Sequence, residues 1–385
     1  MKYLYLVWKN LWRRKLRTFL TILSTLVAFT LFGLLVAVRT AFRAGVDVSG
    51  ADRMMVTHKV SFILPLPFSY RDRIAAVPGV NGVSFMNWFG GVYQDPKNFF
   101  PQMAVDSATF LDLYPEYRLP EDRKKAWLGD RTAAIVGRSL ADRFGFKIGD
   151  HIPIQGTIYR HPDGTSLWTF NVVGIYDGTQ KETDTSGLYF RYDYLNEGMG
   201  GKLGNVGWYV IRIADPAHSE AVTQRVDALF ANSPAETKTQ TEKQMAQSFS
   251  NQVGNIGTLV TWIAGAVFLT LLLVVANTMA LSIRERTGEL AVLKTLGFGQ
   301  GQLLLMVLAE SCAVAILGSL LGLGLALAIV PGIGKALQQF LPVFFVPSWA
   351  VVLGLSLALL LGLAAGLPPA LQAMRLRIVD ALRRV

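Results

Sequence analysis

The side chains of this chain best suited to hold a transition metal are four histidines, His58, His151, His161 and His218, and one cysteine, Cys312. Their spacing does not support that use. No H-E-x-x-H is present and no second cysteine accompanies a histidine, while His161 stands before Pro162-Asp163-Gly164, where turn chemistry is the simpler reading. Acyl transfer would need a G-x-S-x-G elbow, and the nearest string, "GRSLA", lacks the final glycine. Phosphoryl transfer would need a phosphate-cradling loop. The chain has no G-x-x-x-x-G-K-[ST], and "GFGQG" has the glycine spacing of neither fingerprint. No catalytic residue, metal or bound cofactor is therefore expected, and the chain by itself should hydrolyse no ATP.

Two polar side chains lie inside long apolar runs, Asn277 and Glu310. An exposed carboxylate in a bilayer is costly, so Glu310 should face a partner helix or reach toward the membrane boundary. A packing role and a proton-coupling role are both open, and Asn277 could hydrogen-bond between helices. Gly318 with Gly322, and Gly362 with Gly366, form G-x-x-x-G strings that allow helices to approach closely. Between two of the apolar runs stands "RERTGELAVLKTLGFGQGQ", residues 284–302. Here Leu290, Leu293 and Leu296 recur at threes, charge comes from Arg286, Glu289 and Lys294, and Gly297 closes the pattern. The segment is expected to be a short amphipathic helix, either a stiff element that carries force or a connection whose charges enforce topology.

These groups are positioned by membrane spans. Residues 18–38 are 21 consecutive uncharged positions, enough at about 1.5 Å per residue to cross a roughly 30 Å hydrocarbon core. Further apolar runs cover about Leu259–Ile283, Leu303–Val330 and Trp349–Met374. The first run follows "WKNLWRRKLR" and ends in "AVRTAFR", so it reads as a retained anchor and not as a cleaved signal peptide. The net charge of +10 is carried entirely by segments flanking the spans, whereas residues 39–257 hold 23 charges of each sign. That distribution follows the positive-inside rule and gives no reason to expect nucleic acid. Both termini and the 284–302 loop should be cytoplasmic, with the large region outside.

The expected organisation is a membrane protein of four transmembrane α-helices, with a large α+β extracytoplasmic domain between the first and second spans. Residues 1–17, with Leu4, Val7, Trp8 and Leu11 on one face, read as an amphipathic helix in the headgroup region or as a basic topogenic flank. Spans are expected at 18–40, 258–283, 303–330 and 349–374. They are joined by the outer domain at 41–238, a stalk helix at 239–257, the loop at 284–302 and a short outer loop at 331–348, and are followed by a cytoplasmic tail at 375–385. In the outer domain, 50–118 and 205–238 read as α/β. Residues 119–204 read as a β-rich insertion with a hairpin at Pro162-Asp163-Gly164. The domain has no cysteine, so a packed core must stabilise it.

The segment "RERTGELAVLKTLGFGQGQLLLMVLAESCAVAILGSLLGLGLAL" resembles the permeases of MacB-type, FtsX-type and LolC/LolE-type (type VII) ABC systems. The likeness extends to "WKNLWRRKLRTFLTILS", "VGRSLADRFGFKIGDHIPI", "FNVVGIYDG" and "PALQAMRLRIVDALR", and so covers nearly the whole chain. It implies a multi-pass subunit of the bacterial cytoplasmic membrane that pairs with a second copy or a related permease. The loop becomes a coupling helix seated on an ABC ATPase subunit, present in two copies that bind the ATP and magnesium. Matched residue by residue, Glu285, Arg286, Glu289, Leu290, Leu293, Lys294 and Gly297 would form that contact. Unlike MacB itself, the chain carries no fused ATPase, and "GFGQGQ" is glycine-rich where many relatives are basic. The implied work is efflux of a small molecule or peptide together with a periplasmic adaptor and an outer-membrane duct. Lipoprotein or lipid extraction, and FtsX-like signalling to a cell-wall hydrolase, are the alternatives.

Overall fold

The protein is described here by a computed structural model covering residues 14–48, 50, 52–252, 256–338 and 341–375. Residues 1–13 of the N-terminal helix expected at 1–17, and the tail beyond 375, lie outside the described residues, while 15–17 already belong to the first long helix. The chain forms two compact units, one of residues 1–41, 255–335 and 344–385, the other of residues 42–254 and 336–343.

The first unit is built on four helices long and apolar enough to cross a membrane. They are Lys15–Val48, Ile256–Glu285, Gln300–Leu337 and Ser348–Arg375. A fifth, short helix, Thr287–Thr295, lies between the second and third. Lipid is as apolar as leucine, so contact between spans depends on close fit and not on the hydrophobic effect. Small residues supply that fit. A methyl group on Gly318 would sit 2.5 Å from Thr25 Cβ of the first helix, and one on Gly322 would strike the Leu26 carbonyl. On the fourth helix, Gly362 and Gly366 leave the same kind of space for Cys312 and Ser311. The third helix thus packs against the first through one G-x-x-x-G string and against the fourth through the other. Phe29, Val275, Ala315 and Leu361 join all four helices in one apolar cluster.

Thirteen strands are described in the second unit: β1 (Arg53–His58), β2 (Leu66–Pro67), β3 (Val80–Trp88), β4 (Gly91–Val92), β5 (Gln102–Val105), β6 (Tyr117–Arg118), β7 (Ala133–Gly137), β8 (His151–Gly156), β9 (Leu167–Gly178), β10 (Leu188–Arg191), β11 (Asn205–Val206), β12 (Trp208–Ile213) and β13 (Thr237–Thr241). Eleven form one sheet in the order β13-β1-β12-β3-β5-β10-β7-β9-β8-β4, with β6 against β9, while β2 and β11 pair separately. The alternation of β8 and β9 and their connection through Pro162-Asp163-Gly164 give the expected antiparallel pair. Asp163 Oδ1 accepts from the Thr165 amide and hydroxyl to hold that turn. His161 stacks on Trp168, ring centroids 4.0 Å apart.

The way the β-rich segment joins the rest, and the start of the stalk helix, are set by strand pairing. The β-rich segment does not form a sheet of its own: β10 pairs in parallel with β5, and β4 of the α/β part pairs with β8. Separate sheets would leave β5 and β8 with open edges, and joining them satisfies both rows of backbone groups. The expected stalk helix also begins late. Residues 239–241 belong to β13, where Thr237 and Thr239 are buried at a spacing of two and hydrogen-bond Asp227. Helix starts at Glu242 and is described to Gln252.

Candidate functional site

The second span ends at Glu285, and the chain turns through Arg286 into the short helix Thr287–Thr295. Gly297 ends that helix at φ +92°, a left-handed conformation that favours glycine. The Phe298 amide reaches the Leu293 carbonyl and the Gly297 amide the Lys294 carbonyl, each at 3.1 Å. This pair of bonds satisfies the last carbonyls in a Schellman closure, and Leu293 and Phe298 join the same apolar cluster. The closure makes a discrete element of nine residues with a sharp exit.

Its charged residues are largely engaged within the unit. Arg286 donates to both oxygens of Glu310, at 2.8 and 3.2 Å, with the two side chains only 15% and 11% exposed. The carboxylate inside the third span is therefore paired, by a side chain assigned from sequence to a partner protein. Glu285 accepts from Arg14 at 2.8 Å and from Arg17 at 2.7 Å, and Arg17 also donates to Ser282 Oγ at 3.0 Å. Lys294 Nζ donates to the Met374 carbonyl at 2.8 Å, capping the end of the fourth helix. Leu290 is buried against Ile283, Leu303, Ala370 and Ala373, and Ala291 is buried as well. These contacts fasten the short helix and the turn leading into it to the third and fourth spans, while the first span is tied to the end of the second at Glu285 and Ser282.

On the opposite face are Glu289, which is exposed, and Val292 and Leu296, which are 48% and 70% exposed. Sequence spacing does not single out Val292, and it groups Leu296 with Leu290. At 3.6 residues per turn, six residues turn the helix to about 120° away from its start, so Leu296 lies near Val292 and not near Leu290. The i, i+3, i+7 spacing of Glu289, Val292 and Leu296 was the signal available. Asn277 is exposed and makes no side-chain hydrogen bond among the described residues.

In the second unit, Arg53 of β1 is almost fully buried and pairs with Glu116 at 2.6 Å and with Glu242 at 2.8 Å. Its guanidinium also lies 4.3 Å from the Tyr114 ring centroid. Burial pushes the Glu242 carboxyl above its ordinary range, against the pull of Arg53. Glu242 is the first residue of the helix Glu242–Gln252, so the cluster fixes the start of that helix to the sheet.

The sequence profile of the MacB-like periplasmic core domain matches residues 18–229, and that of the FtsX-like permease C-terminal region matches residues 261–378. The chain belongs to the MacB/FtsX-type ABC transporter permeases. An uncharacterised ABC transporter permease of Methanocaldococcus jannaschii is 24% identical to this permease over 398 residues, covering 97% of this chain and 96% of the relative. The macrolide export ATP-binding/permease protein MacB of Psychrobacter cryohalolentis is 26% identical over 219 residues, 55% of this permease but only 33% of that longer protein. Among solved structures, the periplasmic region of MacB from Actinobacillus actinomycetemcomitans aligns with a TM-score of 0.38 at 13% identity, covering 54% of this permease and 96% of that chain. The permease is thus a multi-pass membrane protein whose α+β domain, between the first and second spans, is of the MacB periplasmic type.

Proposed function

We propose that this permease is the membrane subunit of an ABC complex in which a separate ATPase, present in two copies, seats on the helix Thr287–Thr295. The permease pairs with a second copy or a related permease, and the complex exports a small molecule or peptide from the outer side of the bacterial inner membrane. Both termini and the short helix are cytoplasmic in this reading, which the charge distribution supports. ATP and magnesium belong to the partner. Efflux is favoured by the likeness to the MacB relative, a macrolide export protein. A periplasmic adaptor and an outer-membrane duct complete the efflux reading.

The observation that carries the proposal is the two-sidedness of the short helix. Lys294 and a buried Leu290 tie its inner face to neighbouring spans and the Arg286–Glu310 pair fixes the turn that starts it, while Val292 and Leu296 stand outward in solvent. A push on the outer face is shared by every span the helix touches, because packed helices and ion pairs yield less than loops do. On the far side of the second span, the chain leads back through 253–255, outside the described residues, to the helix held at Glu242 by Arg53.

The test uses Val292→Asp with Leu296→Asp. An interface anchor of this type contributes about 2 kcal/mol or more, roughly thirtyfold in affinity. Loss of ATPase co-purification by at least that factor, with membrane insertion unchanged, is expected. Undiminished association would end the coupling proposal. Leu293→Asp is a poorer probe, since Leu293 packs against the permease's own cluster and its loss would disturb the loop itself.

A further inference from the structure

The outer domain contains a cleft of about 600 Å³, and among the described residues none of the side chains lining it is charged. Phe62 and Trp208 form one wall, their ring centroids 4.8 Å apart, and Trp88 and Ile158 also line it. The cleft is a built feature of the fold. The pairing of β2 with β11 fastens the segment carrying Phe62 to the segment leading into Trp208. Gly90, at φ +64°, has room for no side chain, since a methyl there would come within 2.8 Å of Ile158 Cδ1 and 2.9 Å of Trp88 Nε1. Gly207 lies as close to the Met86 carbonyl, 2.8 Å from an added methyl. Two backbone approaches thus bring the aromatic walls together.

The polar groups are few and specific. Buried Asn87 accepts from the Gly207 amide and donates to the Tyr159 hydroxyl at 3.4 Å. Since Tyr159 accepts that bond, its own proton is available to an acceptor in the cleft. Burial raises the Tyr159 hydroxyl above its ordinary pKa, so it stays protonated. Asn205 also lines the cleft, and its side-chain amide makes no hydrogen bond among the described residues. At the rim, Ile63 and Ile158 are 89% and 57% exposed, apolar surface that water covers poorly.

We infer that this cleft binds an uncharged, amphiphilic small molecule with a broad apolar face and a few hydrogen-bond acceptors. The size falls within the roughly 300–1,000 Å³ range of small-molecule sites. A charged ligand would lose its hydration with no countercharge to replace it. Concavity and enclosure by rings favour a small molecule over a flat protein partner. The inference rests on the efflux reading and names the substrate class it would serve.

The test measures tryptophan-to-probe energy transfer on the full-length permease in nanodiscs, with N-phenyl-1-naphthylamine as the neutral probe and empty discs subtracted. No ATPase or nucleotide is present, so a failure here leaves the coupling proposal standing. Conversely, a V292D/L296D variant that loses its ATPase should bind the probe as the parent does. Saturable binding is expected, weakened about tenfold or more by either I158K or I63K, and not displaced by the anionic 8-anilinonaphthalene-1-sulfonate. V60K, whose side chain is exposed and does not line the cleft, should leave it unchanged. Signal that does not saturate, equal binding by I158K, I63K and the parent, displacement by the anionic probe, or loss in V60K alone would each overturn the inference.

Discussion

At the scale of single residues, the pairing of Arg286 with Glu310 turns two separate expectations into one. From sequence, the arginine belongs to a partner interface and the glutamate to helix packing or proton transfer. The bidentate contact makes each the counterion of the other, and the low exposure of both means that neither is cheaply left alone. Removing one member of such a pair costs about 3–5 kcal/mol, whereas replacing both by apolar groups of similar volume is often close to neutral. Arg286→Met and Glu310→Met should therefore each lower the unfolding midpoint of the purified permease markedly, and the double variant should recover most of the loss. Additive single effects would show that the pair does not hold the short helix in place.

At the scale of elements, the helices rely on small residues to an extent that hydropathy does not reveal. The contact of Gly322 with the first helix leaves no room for a side chain, and overpacking of that kind typically costs about 1–3 kcal/mol. Gly322→Leu should separate the first and third helices and lower thermal stability in detergent. Gly324→Leu, two positions on, where an added methyl meets nothing, should be nearly silent. Equal effects would place the packing seam elsewhere on the third helix. In the outer domain, β13 illustrates a different limit. Its sequence, TKTQT, is polar enough to read as the start of a stalk, and only pairing with β1 and the bonds to Asp227 make it a strand.

At the scale of the whole molecule, orientation is the property most open to direct measurement. A cysteine at Asp163, on the β8–β9 turn, in a Cys312→Ser background, should react with an impermeant thiol reagent added outside intact cells. Labelling only after membrane disruption would invert the topology and with it the proposed place of the ATPase. The charge asymmetry predicts outside labelling because it follows from the cost of moving lysine and arginine across a bilayer, independent of fold.

What sequence alone determined are properties that local composition carries. The four spans, the single large domain between the first two, the helix stop at Gly297 and the turn at Asp163 each depend on residues within one or two turns of chain. The tertiary structure decided everything that required a distant partner: Glu310 with Arg286, Lys294 with the end of the fourth helix, β5 with β10, and Thr237 with Asp227. It also decided which side of the short helix faces outward. A spacing of three leucines defines a helix but drifts around it, and only packing against Ile283, Leu303 and Ala373 selects Leu290 for the inside and leaves Val292 and Leu296 for solvent.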